Sequence, residues 1–505
     1  MNYASLASKL KVQIFFIVIL SLFAIYKLIN GDVIPLLKVL TIAAIFAVSL
    51  SLIKKTYMWY LIKNDPLSIT FLYLLIISSF IGAGFFTLDL GPLSLFPYRI
   101  LLLVMCVLFF SVFVKEKEYM RMWSKVKVKK PIFFLIFWLL YALLSLLWVR
   151  SLTGGLQDFI FLSFGIVIVF LVTFYFHNQN NYYNFFYIWI VMTAVLVGIG
   201  LWNHFTHQHL PVSRINHVSS YQQGIPTAVF VNENDYASFL AISFFFVLAF
   251  VNHAKTMIKR GAGFVLLALI MYVIMLTDSR ANYISVMLGL AFWFLFLIKR
   301  RAKIKVTFLA VIGFGLGMLS GRFRAIVGKF DDQLGTLLAS SDIGSDSVNI
   351  RINLIRNAFD FLRDTFGLGI GSGNVEFYMK NLSAYDTFGE YNMHNWWMEI
   401  LVHHGILIFS GYVLLYIFLI WNLYKANRTS SGTDRMISEA LVSSLIAFLL
   451  ASISPNSFLA LNYNWLLIAF ALGFINYKRL TDKKKNFLVE EAPYNGQEVN
   501  YGNAK

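Results

Sequence analysis

The chain is a succession of apolar blocks separated by polar turns, and most blocks approach the about 20 residues that a helix needs to cross a bilayer's hydrocarbon. Fourteen stand out, at 12–29, 33–53, 66–87, 93–114, 131–149, 156–176, 185–204, 235–252, 262–277, 281–298, 304–320, 396–420, 436–452 and 461–477. The pattern predicts an all-α, polytopic membrane helix bundle of about 12–14 spans. Two polar segments between blocks are long, 205–234 and 321–395. Within the second, Val348–Leu362 repeats apolar residues at helical spacing (Ile352, Ile355, Phe359, Leu362), which predicts an amphipathic helix lying against the bundle. A shorter break, Asp278-Ser279-Arg280, separates two apolar blocks. Beyond Lys478 the chain turns charged and polar, and a disordered tail is expected. The first block carries no small-residue cleavage site, so no signal peptide is expected.

Composition narrows the class. Only 13% of the 505 residues are charged and 59% are hydrophobic, with a mean hydropathy of +0.70. A soluble domain carries about 25% charged residues, so a soluble enzyme is excluded. The single cysteine, Cys106, lies inside an apolar block, so no intrachain disulfide can form. The formal charge of +17 could suggest nucleic acid, but its placement argues otherwise. With the N-terminus cytoplasmic, 29 of the 42 Lys and Arg residues fall in cytoplasmic segments, seven of them between Lys115 and Lys130. The short outer loops are almost bare, as the positive-inside rule requires. Both termini are therefore expected in the cytoplasm, and the charge reports topology rather than a nucleic-acid footprint.

Ionisable groups gathered on one side of a bundle mark a site in a membrane protein. The expected outer face collects Arg214 and His217, Asn232, Asn234 and Asp235, Asp278 and Arg280, Arg351 and Arg356, and His394 with Asn395. Guanidinium groups bind phosphate oxygens through paired donors, so this set suits a lipid phosphate or diphosphate. Each residue also has a structural reading. Arg280 could snorkel from a helix start, and Arg351 and Arg356 could form the solvated side of an amphipathic helix. Asn234 and Asp235 could cap a helix. Arg99, just inside a span after Pro97-Tyr98, is expected to snorkel outward or to touch a ligand. His204, His207 and His209, and the pair Asp331-Asp332, lack a ligand set at metal spacing, and no metal is assigned. His394, at the mouth of a span in Met393-His394-Asn395-Trp396-Trp397, can accept a proton near neutral pH and is the candidate base.

These motifs, in this order, resemble those of the O-antigen ligase and O-antigen polymerase superfamily of bacterial membrane glycosyltransferases. Phe230 to Asp235 looks like the family's Asn-Asp start of a span, and Asp278-Ser279-Arg280 like its Ser-Arg pair. Arg351 through Gly371 resembles its arginine-rich stretch ending in a Gly-x-Gly turn, with ten residues between Arg356 and Gly367. His394-Asn395, nine residues, then Gly405 resembles the ligase signature, although Ile408 stands where that pattern prefers glycine.

The resemblance implies a GT-C-like bundle in the bacterial plasma membrane with an outward-facing site. It implies a glycan on undecaprenyl diphosphate as donor, a growing polysaccharide or other glycan as acceptor, and no metal or other cofactor. Arg280, Arg351 and Arg356 would hold diphosphate, His394 would act as base or orient the acceptor, and Arg214 would contact diphosphate or acidic glycan. Asn234, Asp278, Asn395 and Arg99 complete the expected substrate contacts, and a flippase and a chain-length regulator are possible partners. The branch resembled is the Gram-positive one linked to teichuronic acid, capsule or exopolysaccharide, which favours polymerisation over ligation. A flippase of lipid-linked oligosaccharide is the alternative from another class. The organisation expected is an N-terminal bundle (1–204), a core with both long loops (205–425), C-terminal helices (426–477) and a cytoplasmic tail (478–505).

Overall fold

The computed structural model describes residues 67–299, 347–455 and 459–491, apart from 86, 90–93, 114–115 and 220–221, together with isolated positions between 303 and 328. The expected spans 12–29 and 33–53, all of 304–320 but Ile304 and Thr307, and Asp331-Asp332 lie outside the described residues. Every other expected span is a helix. These are α1 (Leu67–Ile81), α2 (Pro97–Phe113), α4 (Lys129–Ser145), α5 (Leu152–Tyr175), α6 (Gln179–Thr206), α7 (Glu233–His253), α8 (Met257–Leu276), α9 (Arg280–Phe292), α12 (Trp396–Thr429), α13 (Gly432–Ala451) and α14 (Asn462–Glu491). A π turn, Trp293–Leu297, extends α9. The amphipathic helix is present as α10 (Ser347–Asp364). Two short helices were not foreseen, α3 (Glu116–Ser124) within the lysine run and α11 (Val375–Asn381). Leu88–Asp89 (β1) and Ser94–Leu95 (β2) pair antiparallel in the α1–α2 connection.

The protein is a multi-pass helical membrane bundle. Among the described residues six helices are long and apolar enough to cross a membrane: α5, α6, α7, α8, α9 with its π turn, and α12. Its surface supports the same conclusion. Phe133, Phe137, Leu140 and Leu144 on α4, Phe264 and Val265 on α8, and Leu414, Ile417 and Trp421 on α12 are all exposed. Apolar area of that extent would drive association in water, whereas hydrocarbon solvates it. The middle of the bundle is α7, buried along nearly its whole length, with α8, α9 and α13 packed on it. Ring stacking fixes the neighbours: Trp189 lies 4.3 Å from Phe246, and Phe185 lies 4.2 Å from Phe470.

Two expectations are corrected here. The tail continues α14 to Glu491 instead of fraying after Lys478, because lysine, glutamate and leucine are good helix formers and the buried first half of α14 supplies the nucleus. Residues 492–505 lie outside the described set. Arg99 does not snorkel outward. It is buried, with its guanidinium over the rings of Phe96, Phe161 and Phe164, and it donates to Ser94 O at 2.5 Å. Aromatic faces and one carbonyl satisfy the cation where water would otherwise be needed.

Helix α12 is interrupted at Gly405, whose φ of 74° and ψ of −179° belong to a region essentially restricted to glycine. The break frees carbonyls that the loop 367–371 answers. Ile370 N donates to Val402 O (2.9 Å), Gly371 N to His403 O (3.1 Å), and Ile406 N to Gly367 O (2.9 Å). Gly369 lies so close to the Gly405 and His403 backbone that a Cβ there would collide with it. The Gly-x-Gly turn and the glycine after His394-Asn395 are thus two halves of one backbone joint. Gly405→Ala is expected to cost about 1–3 kcal/mol through the disallowed backbone alone. A lowered melting temperature in detergent checks it; an unchanged one would show that the kink can relax.

Candidate active site

Three helix starts meet at one end of the bundle. Asn232 caps α7, accepting from Asp235 N at 2.9 Å, so the cap is Asn232 and not Asn234. That leaves the Asn234 side chain free to tie elements together: its Oδ1 accepts from Ser279 Oγ and from Ser454 Oγ, both at 2.8 Å. Ser279 precedes α9 and Ser454 follows α13, and Asn282 Nδ2 donates to Ser279 Oγ at 2.8 Å. The same end of α13 receives α12, because Trp396 N donates to Ser452 O (3.0 Å) and Trp397 Nε1 to Ser452 Oγ (3.0 Å). Asn395 caps α12 by accepting from Trp397 N and Met398 N. Each helix start leaves backbone N–H groups unpaired and carries the positive end of its dipole, so together they form an anion-attracting surface.

The arginines around it are not equivalent. Arg214 forms a bidentate ion pair with Glu233, Nε to Oε2 at 3.0 Å and Nη2 to Oε1. Its pKa is raised, chiefly by the hydrogen bonds it donates to Glu233, with the charges of Glu233, Glu390 and Asp235 adding to it. Arg356 is exposed and lies 5.5 Å from the centre of the Tyr385 ring. Arg280 is exposed as the first residue of α9, and Arg351 is half-buried on α10. Burial lowers the Arg351 pKa. Among the described residues, none forms a side-chain hydrogen bond or ion pair with Arg280 or Arg351, so both forks remain open for an anionic oxygen. Asp278 sits between α8 and α9 in a left-handed turn (φ 52°) and faces solvent.

Helix α10 is fixed beside His394 by a small apolar cluster in which Leu354, Ala358 and Phe361 pack with Met393 and Val402. Asn357 holds the intervening loop, donating to Tyr385 O and accepting from Ala384 N and Tyr385 N. His394 itself has a φ of 47°, an uncommon conformation that histidine tolerates better than most residues. Its Nε2 lies 3.3 Å from Glu390 Oε2. That pair has the base-and-orienter form of many acyl- and glycosyl-transfer sites. The charge of Glu390 also acts on Arg214.

The structure therefore brings Asn234, the Asp278–Arg280 turn, Asn395 and His394 to one end, with Arg214 alongside. Arg99 stands apart in its aromatic pocket. The histidine group closes a loop: His204 Nδ1 lies 2.7 Å from Gly224 O, and His209 Nε2 lies 2.7 Å from Gln223 O. Sequence reasoning missed Glu390, Glu233, Ser279 as a tie, and Ser454. Only the first left a local signal, a carboxylate four residues before the candidate histidine.

Comparison with known proteins gives the family. Residues 262–415, from α8 into α12, match the family described as O-Antigen ligase. Over 466 residues, 92% of this chain and 94% of the relative, the sequence is 34% identical to the teichuronic acid biosynthesis protein TuaE of Bacillus subtilis (strain 168). The matched segment contains Arg280, Arg351, Arg356, His394 and both halves of the glycine joint. The chain belongs to the O-antigen ligase family.

Proposed function

We propose that this protein is a membrane glycosyltransferase of cell-surface polysaccharide biosynthesis that polymerises glycan carried on undecaprenyl diphosphate. The observation that carries the proposal is the pairing of two open arginines, Arg280 and Arg351, with three converging helix starts and a His394–Glu390 pair. The acceptor sugar hydroxyl attacks the anomeric carbon of the donor. With His394 Nε2–H donating to Glu390, Nδ1 is left to take the hydroxyl proton. The bond from the anomeric carbon to the diphosphate oxygen breaks, and undecaprenyl diphosphate leaves with its charge offset by the arginines and helix dipoles.

The opposite end of the bundle carries Lys127, Lys129, Lys255, Lys259, Lys425 and Arg428 in or beside its turns. The positive-inside rule puts that end in the cytoplasm and the arginine end outside, at the plasma membrane. The relative's role in teichuronic acid biosynthesis supports a surface polysaccharide product. Ligation of a finished glycan to a wall or lipid acceptor is the second reading, favoured by the family's description.

The test uses purified protein in nanodiscs with a lipid-diphosphate oligosaccharide from its own host. A product ladder spaced by one repeat, with undecaprenyl diphosphate released, is expected. A single transfer to an added acceptor would make it a ligase, and lipid movement without transfer would make it a transporter. Reporters inserted after Lys255 and after Gln223 are expected on the cytoplasmic and outer sides respectively; the reverse result would overturn the sidedness.

A further inference from the structure

Below the arginine end, α5 and α12 bring three residues together that the transfer chemistry leaves unused. Asp158 lies six residues into α5, and His403 and His404 lie seven and eight residues into α12, just before the Gly405 kink. They are 8%, 4% and 1% exposed. One donor atom from each falls within 4.8 Å of the others. His403 Nδ1 stands 3.7 Å from Asp158 Oδ1, and the two imidazole centres are 5.8 Å apart. Among the described residues, no hydrogen bond satisfies Asp158 Oδ2 or any of the four ring nitrogens.

Such a cluster is costly as it stands. Polar atoms removed from water keep their full desolvation penalty unless something binds them. The donor set selects what that would be. Magnesium and calcium take oxygen ligands, whereas two imidazoles with a carboxylate suit zinc and its transition-metal neighbours. Charge agrees: Glu399, buried one turn before His403, acts electrostatically on Asp158, and a divalent cation held by the cluster would offset that repulsion. Ser372 and the Gly373 backbone face the Asp158 carboxylate, as outer-shell partners of a metal ligand do. The glycine joint holds the His403 carbonyl, which fixes the backbone from which the imidazoles project.

We propose that Asp158, His403 and His404 form a buried divalent transition-metal site of the zinc class that clamps α5 to the kinked first turns of α12. The site is independent of the transfer reaction proposed above, and it departs from the sequence expectation that no metal is bound. Its position beneath the arginine end makes it a brace for the α12 start, which carries His394.

The test uses the full-length chain, free of a histidine tag, with the exposed His207 changed to Gln, in nanodiscs. Protein stripped by chelator is reloaded with Zn2+ or Co2+ and desalted. We expect about one ion retained per chain and visible d–d absorption from Co2+ with imidazole ligands. Asp158→Asn and His404→Gln should each weaken binding about tenfold or more while eluting as monodisperse protein. Since either variant could fail to fold, zinc-edge X-ray absorption of the loaded parent protein gives a second reading, with scattering from two imidazoles expected. No retained metal, retention unchanged in both folded variants, or an edge spectrum without imidazole scattering would each overturn the proposal.

Discussion

Replacing Arg280 with alanine is expected to lower glycan transfer by about 10²–10³-fold, the usual loss when one preorganised donor to a developing anion is removed. Among the described residues nothing depends on the side chain: it is exposed at the first position of α9 and forms no hydrogen bond or ion pair with any of them. Insertion and melting temperature should therefore match the parent. The neighbouring Arg214 makes the contrast, because Arg214→Ala would leave Glu233 without its ion pair and should lower stability as well as activity. Arg280→Lys should recover only part of the rate, since a lysine restores the charge but not the planar fork. The measurement is the initial rate of undecaprenyl diphosphate release by purified protein. A parental rate in Arg280→Ala would remove the diphosphate role from this residue.

The difference between these two arginines was not legible in the sequence. Both stand in polar breaks at the same expected face, and only the fold shows that Glu233, 19 residues from Arg214, occupies one of them. Helical spans were legible because lipid demands an uninterrupted apolar run, a signal that needs no tertiary information. Their ends were less so. The start of α6 at Gln179 is hidden by Asn180, Asn181 and Asn184, polar residues within the helix, of which Asn184 donates to the Tyr73 hydroxyl at 3.3 Å. The amphipathic α10 could be read from spacing, whereas α11 is too short to show a period. The glycine joint was visible as two motifs, but not as one structure. Likewise Asp158 lies 245 positions from His403, a distance no local pattern can bridge.

His394→Asn should cost transfer about 10²–10⁴-fold, the range ascribed to a positioned general base. Asparagine is the informative substitute. At φ 47° an alanine would add backbone strain, while asparagine tolerates the left-handed region and preserves size and polarity without a basic nitrogen. A loss in this variant therefore cannot be assigned to the backbone. A structural role and a chemical one are then separated by rescue. If His394 takes the acceptor's proton, imidazole added to His394→Gly, where the backbone is again unstrained, should restore part of the rate in a concentration-dependent way. If His394 only fills space beside Glu390, imidazole will do nothing. Glu390→Gln supplies the third point: the imidazole at 3.3 Å loses its orienting carboxylate, so the rate should fall, but less than in His394→Asn, because the base itself remains. A full rate in His394→Asn would return this residue to the structure of the loop and leave the acceptor hydroxyl without a base at this end of the bundle.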